Sequence, residues 1–125
     1  MQQAINRLLE IMQQLRDPER GCPWDLEQSY RTIVPHTLEE AYEVADAIER
    51  NALEELKGEL GDLLFQVVFY AQIATEEGRF TFEEVVESIN AKLVRRHPHV
   101  FGELEVENST VQTQLWEQLK PGTGQ

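Results

Sequence analysis

A single cysteine, Cys22, among 125 residues excludes an internal disulfide and suits a reducing compartment. No apolar run approaches the ~18 residues that a membrane-spanning helix needs, so no membrane segment is expected. The N-terminus lacks a secretory signal pattern, and no repeat or low-complexity stretch stands out. Basic residues are scarce: 11 Lys and Arg stand against 23 Asp and Glu, a formal net charge of −12. Phosphate polymers and anionic membranes repel such a chain, which argues against nucleic-acid and membrane partners. Alternating apolar and polar residues, the mark of half-buried strands, are missing as well. These absences leave a soluble, cytoplasmic helical domain, with 41% hydrophobic residues to build its core.

The helical period carries the organisation. Ile5, Leu8, Leu9, Met12 and Leu15 recur every three or four residues until Asp17-Pro18 stops the run. Arg20-Gly21-Cys22-Pro23-Trp24-Asp25 reads as a loop. Asp25 is placed to cap a short helix through Tyr30 and Ile33, which Pro35 is expected to interrupt. Thr37 with Glu40 then forms a capping box that opens a helix bearing Leu38, Ala41, Tyr42, Ala45 and Ile48. Asn51 starts a longer helix through Leu53, Leu60, Leu64 and Val68, which Gly78 ends. Thr81 and Glu84 open another, which runs to His97-Pro98. Ser109 with Gln112 opens a last short helix with Leu115 and Trp116. Residues 1–120 are expected to form one all-α domain, a bundle of four main helices. The remainder, 121–125, reads as a linker or frayed tail.

Acidity is concentrated between residues 38 and 62, where nine acids face only Arg50 and Lys57. Glu40 and Glu43 are three apart and share a helix face, and Glu59 and Asp62 do the same on the next helix. If the two helices fold back about Asn51, Glu43 and Glu59 lie eight residues either side of it, Glu40 and Asp62 eleven. The pairs then match in height, about 12 and 17 Å from the turn. Four carboxylates would converge on one seam, repelling one another unless a cation sits among them. An all-oxygen donor set without histidine selects Mg²⁺ or Mn²⁺ over zinc or iron. Each pair alone is also consistent with a solvated helix face, and Glu40 with a capping acid for Thr37. Gly58 and Gly61, costing ~1 kcal/mol each inside a helix, suggest close approach by another helix or a ligand.

Glu39-Glu40-Ala41-Tyr42-Glu43, followed after fifteen residues by Glu59-Leu60-Gly61-Asp62, resembles the E-E-x-x-E…E-x-x-D signature of MazG-type nucleoside triphosphate pyrophosphohydrolases. Gly21-Cys22-Pro23-Trp24-Asp25, the run from Gly58 to Gln66, and that from Arg95 to Phe101 are similar to the same family. The likeness extends from about Ile5 to Trp116, and is closest to the first domain of tandem MazG proteins. It implies an all-α fold that forms homodimers and hydrolyses a nucleoside triphosphate to the monophosphate and pyrophosphate with Mg²⁺. Carried over by position, Glu40, Glu43, Glu59 and Asp62 would hold the metal, and Glu39 would support them or orient water. A water activated there would attack the α-phosphorus, with the metal neutralising the phosphate oxygens.

Lys92, Arg95 and Arg96, with His97 and His99 just beyond, form a basic island in this acidic chain. They suit phosphate oxygens, and equally suit the negative end of a helix. Trp24 is a candidate to stack on a nucleobase or to anchor its loop. The expected function is house-cleaning hydrolysis of nucleoside triphosphates with broad base tolerance, since an acidic seam offers little to read a base. The alternatives are a non-catalytic nucleotide- or metal-binding dimerisation domain of a larger protein, and a plain helical interaction module.

Overall fold

Every regular element among the described residues, 1–102 and Glu117 of this computed structural model, is helical. In chain order these are α1 (Gln2–Leu15), α2 (Pro23–Leu26), α3 (Tyr30–Glu49), α4 (Leu53–Glu76), α5 (Phe82–Arg96) and α6 (Pro98–Phe101). Four are long, in line with the expected all-α architecture. The short helix expected from Ser109, with Trp116, and the tail at 121–125 lie outside the described residues. The chain divides into two compact units, the first Met1–Phe82, the second starting at Glu83.

In the first unit α4 packs against both α3 and α1. Met12 of α1, Ile33 of α3, and Val68, Phe69 and Ile73 of α4 form the buried core, with Leu8, Leu9, Tyr30, Phe65 and Tyr70 around it. Burying each large apolar side chain is worth ~1.5–3 kcal/mol. The loop between α1 and α3 is held by Arg16, whose side chain is 9% exposed. Its guanidinium donates to Glu76 on α4 at 2.6 and 3.1 Å, and to the carbonyls of Asp25 and Gln28 at 2.7 and 3.2 Å. It also lies 5.7 Å from the Phe69 ring centre. Gly21 is required in this loop, because a Cβ there would come within 3.0 Å of the Leu15 and Asp17 backbone.

Several local expectations are corrected. Pro35 does not interrupt the chain's helix; it lies inside the continuous α3. The true start is Ser29, whose hydroxyl accepts from the Thr32 N–H while Thr32 returns the bond to the Ser29 N–H. Pro35 leaves the Arg31 carbonyl without its helical donor, but both residues are exposed, where water serves it. Burial of Ile33, 1% exposed, offsets that loss. Thr37 is therefore no cap, and Glu40 no capping acid. Likewise Asp25 lies within α2 rather than capping the next helix.

The turn between α3 and α4 pivots on Asn51, which adopts φ 57° instead of starting the helix. Asparagine tolerates this left-handed conformation better than most residues. The Ala52 N–H donates back to the Ala47 carbonyl at 2.8 Å, closing the end of α3. Arg50 ties the turn, meeting Asp46 at 2.8 Å and Glu55 at 2.6 Å.

In the second unit, α5 carries Glu83 and Glu84 in its first turn and Arg95 and Arg96 in its last, both favourable to the helix dipole. His97 precedes α6, and its Nδ1 lies 2.7 Å from the Leu93 carbonyl.

Candidate functional site

The antiparallel turn at Asn51 brings the acidic faces of α3 and α4 together. One carboxylate oxygen from each of Glu40, Glu59 and Asp62 lies within 4.8 Å of the other two. Glu40 and Asp62 are the pair placed eleven residues either side of the pivot, so the matched height foreseen for them is realised. Glu43 is not among the three whose oxygens meet. Its charge still acts on both Glu59 and Glu40. Glu39 is exposed on α3 and contributes to the negative field at Glu40.

The electrostatics are those of like charges drawn together. Burial, then the charges of Asp62, Glu59, Glu39 and Glu43, push the Glu40 carboxyl above its ordinary range. Burial, then Glu43, Asp62 and Glu55, raise Glu59 in the same way, with Arg50 opposing weakly. Glu40 Oε2 is sealed from solvent and has no hydrogen-bond partner. A buried acceptor without a donor is costly and rare in native folds. A divalent ion fits this place: it would supply the missing partner and offset two of the three converging charges, and the all-oxygen set suits Mg²⁺ or Mn²⁺.

Gly58 and Gly61 sit beside these acids on α4, and among the described residues the close helix packing considered for them is not found. A Cβ at either would meet nothing within 4 Å, so the space above both is open. Among the other candidates, Trp24 is 48% exposed and meets the His36 ring edge-on at 5.5 Å. In the second unit Arg95 is exposed and Lys92 half-buried, whereas Arg96 is only 4% exposed.

A polar cluster next to the acids was not foreseen. The Thr37 hydroxyl, one turn before Glu40, contacts the Tyr70 hydroxyl and lies 3.4 Å from Gln66 Oε1 across the seam. Gln66 is one turn beyond Asp62 and 8% exposed. Its signal was available: Gln66 is a lone polar residue in the apolar run Leu63-Leu64-Phe65-Gln66-Val67-Val68-Phe69.

Comparison with known proteins places the chain. Residues 28–101 match the family described as the MazG nucleotide pyrophosphohydrolase domain. The sequence is 63% identical over 116 residues to the nucleoside triphosphate pyrophosphohydrolase of Escherichia coli K12, covering 93% of this chain and 44% of that protein. It is 50% identical over 99 residues to the nucleoside triphosphate pyrophosphohydrolase/pyrophosphatase MazG of Thermotoga maritima, covering 79% of this chain and 38% of that one. The chain thus spans less than half the length of these curated relatives. The crystal structure of a MazG-related protein from Thermotoga maritima superposes with a TM-score of 0.72 at 29% identity, covering 91% of this chain and 96% of that one. With the matched segment spanning both acid pairs and more than half of the sequence, the chain belongs to the MazG nucleotide pyrophosphohydrolase domain family.

Proposed function

We propose that this domain hydrolyses nucleoside triphosphates to the monophosphate and pyrophosphate, as the names of its relatives suggest, and that it does so in the cytoplasm. One observation carries the reading: three carboxylates within 4.8 Å of one another, one with a buried unpartnered oxygen, in a chain of this family. Glu40, Glu59 and Asp62, with Glu43 beside them, would hold Mg²⁺ or Mn²⁺. When bound, the ion would lower the charge on the phosphate oxygens and the pKa of a water in its reach. Glu39 is the acid outside the three that would orient this water. The water gives up a proton to solvent as its oxygen bonds to the α-phosphorus, the bond to the α–β bridging oxygen breaks, and pyrophosphate leaves with that oxygen. Lys92, Arg95 and Arg96 are proposed for the substrate phosphates on the ground of charge, and Trp24 for the base on the ground of its exposure.

A homodimer belongs to the same proposal. Val34, Leu38 and Tyr42 form an exposed apolar stripe on α3, and Leu60, Leu64 and Val67 one on α4, each at helical spacing. Exposed apolar stripes of this kind mark interaction surfaces.

The test incubates the chain with Mg²⁺ and mixed nucleoside triphosphates and separates the products. Monophosphate with pyrophosphate supports the reading; diphosphate with phosphate, or no turnover, rejects it. A second reading rests on the chain spanning less than half of its relatives: a nucleotide- and metal-binding dimerisation domain of a longer protein. Binding of Mg²⁺ and nucleotide without pyrophosphate release would favour that.

A further inference from the structure

Three carboxylates within 4.8 Å repel one another and would push α3 and α4 apart. The seam is bracketed on both sides of that repulsion. Toward the turn, Arg50 joins Asp46 to Glu55, but these side chains are half exposed and such pairs hold weakly. On the other side lies the Thr37–Gln66–Tyr70 cluster, where a Gln66 that is 8% exposed and a part-buried hydroxyl pair replace exposed charges.

Thr37 Oγ has three neighbours: the Ile33 carbonyl at 3.3 Å, Gln66 Oε1 at 3.4 Å, and the Tyr70 hydroxyl. The first two only accept, whereas either hydroxyl of the Thr37–Tyr70 pair can donate to the other. The pair joins the two helices in either case. The Tyr70 ring is in turn stacked with Tyr30 of α3 at 6.4 Å, and the Tyr30 hydroxyl donates to Glu77 beyond the end of α4. The bonds thus run from α4 to α3 and back, one turn from Glu40 on one helix and one turn from Asp62 on the other. A sliding of either helix along its axis breaks them.

We infer that Thr37, Gln66 and Tyr70 are positioning residues, a clamp that fixes the register of α3 on α4 and so holds Glu40, Glu59 and Asp62 at a separation one divalent ion can span. None of the three needs to touch the ion or the substrate. The inference rests on the metal-site part of the proposed function and not on turnover.

Its test is Mn²⁺ binding to the full chain, read by the loss of the free-ion paramagnetic resonance signal, for the wild type, Thr37→Val, Thr37→Ser and Tyr70→Phe. Thr37→Val and Tyr70→Phe keep shape and remove one hydroxyl each. The expected result is Mn²⁺ affinity weakened about tenfold in both, the low end of what losing an outer partner costs a metal site. Thr37→Ser, which retains the hydroxyl, is expected to restore most of it. Helical content and melting temperature are measured alongside. If both valine and phenylalanine variants stay folded and bind Mn²⁺ as the wild type does, the clamp is overturned. Should Thr37→Val lose folding, Tyr70→Phe alone decides. A wild type that binds no Mn²⁺ overturns the metal site itself, whereas one that binds but releases no pyrophosphate leaves the clamp standing and rejects only the activity.

Discussion

At the level of single residues, Glu59 tests the site in two directions. As a proposed ligand, Glu59→Gln should lower Mg²⁺-dependent turnover by more than about a hundredfold, beyond the loss of an outer partner. Stability should move the other way. Burial and the neighbouring acids raise Glu59 and Glu40 above the ordinary glutamate value of 4.5. An acid whose folded pKa is raised is bound to its proton more tightly when folded, so its favourable contribution is present below pH 4.5 and lost as pH rises through the raised value. The metal-free chain therefore carries a penalty at neutral pH that Glu59→Gln removes. The expectation is a higher melting temperature for this variant at pH 7 without metal, and no such gain near pH 4. Gly61 separates in a similar way. Alanine there meets no atom within 4 Å and gains up to about 1 kcal/mol of helix propensity. Gly61→Ala should thus raise the melting temperature while increasing KM, because two helix-weakening glycines beside the acids are explained by an approaching ligand. An unchanged KM would leave them unexplained. These residues were readable in advance, because the three-residue spacing puts carboxylates on one face whatever the tertiary context. That Glu43 stands outside the three meeting oxygens was not readable, since side-chain direction is settled by packing rather than by spacing.

At the level of elements, the most informative side chain is Arg16, which joins α1, the following loop and α4. Arg16→Ala removes two bonds to Glu76, three to the carbonyls of Asp25, Leu26 and Gln28, and the contact with Phe69. The expected loss is about 2–3 kcal/mol, below that of a fully buried pair because Glu76 is 36% exposed and water can reach it. Chemical denaturation measures it directly. Its pH signature is opposite to that of the acid seam. Arg16, and to a lesser degree Gln72, hold the Glu76 carboxyl below its ordinary 4.5. Stability from this bond is present above pH 4.5 and lost as pH falls through the lowered value. The wild type should lose more stability than Arg16→Ala on acidification below 4.5. No cap or apolar period announces such a residue, and the sequence alone showed only a loop rich in glycine and proline. The same limit explains α3. Pro35 and the Thr37-Glu40 box are local signals for a break, and the burial of Ile33 and Ala47 on either side outweighs them. The pivot at Asn51, by contrast, was legible because the acid spacing on both helices is symmetric about it.

At the level of the whole molecule, charge and apolar exposure pull in opposite directions. Each copy carries a formal −12, yet α3 and α4 expose Leu38 at 57%, Tyr42 at 75%, Leu60 at 48% and Leu64 at 43%. A dimer formed through these stripes buries the apolar surface while drawing two strongly negative bodies together. Hydrophobic burial at a specific interface of ~1,600 Å² can outweigh that repulsion, which salt screens over ~8–10 Å. Association should therefore strengthen as ionic strength rises, the reverse of an interface held by opposite charges. Sedimentation equilibrium is the measurement. The wild type should sediment at twice its 14.5 kDa, with a dissociation constant that falls between low and physiological salt. Leu64→Glu, placing one more negative charge on the exposed stripe of α4, should sediment as a single chain under the same conditions. Since Leu64 contributes little to the core of its own copy, this variant should keep the wild-type helical content. A wild type that remains a single chain at micromolar concentration and at every salt level would remove the dimer, while the arrangement of Glu40, Glu59 and Asp62 within one copy would be untouched.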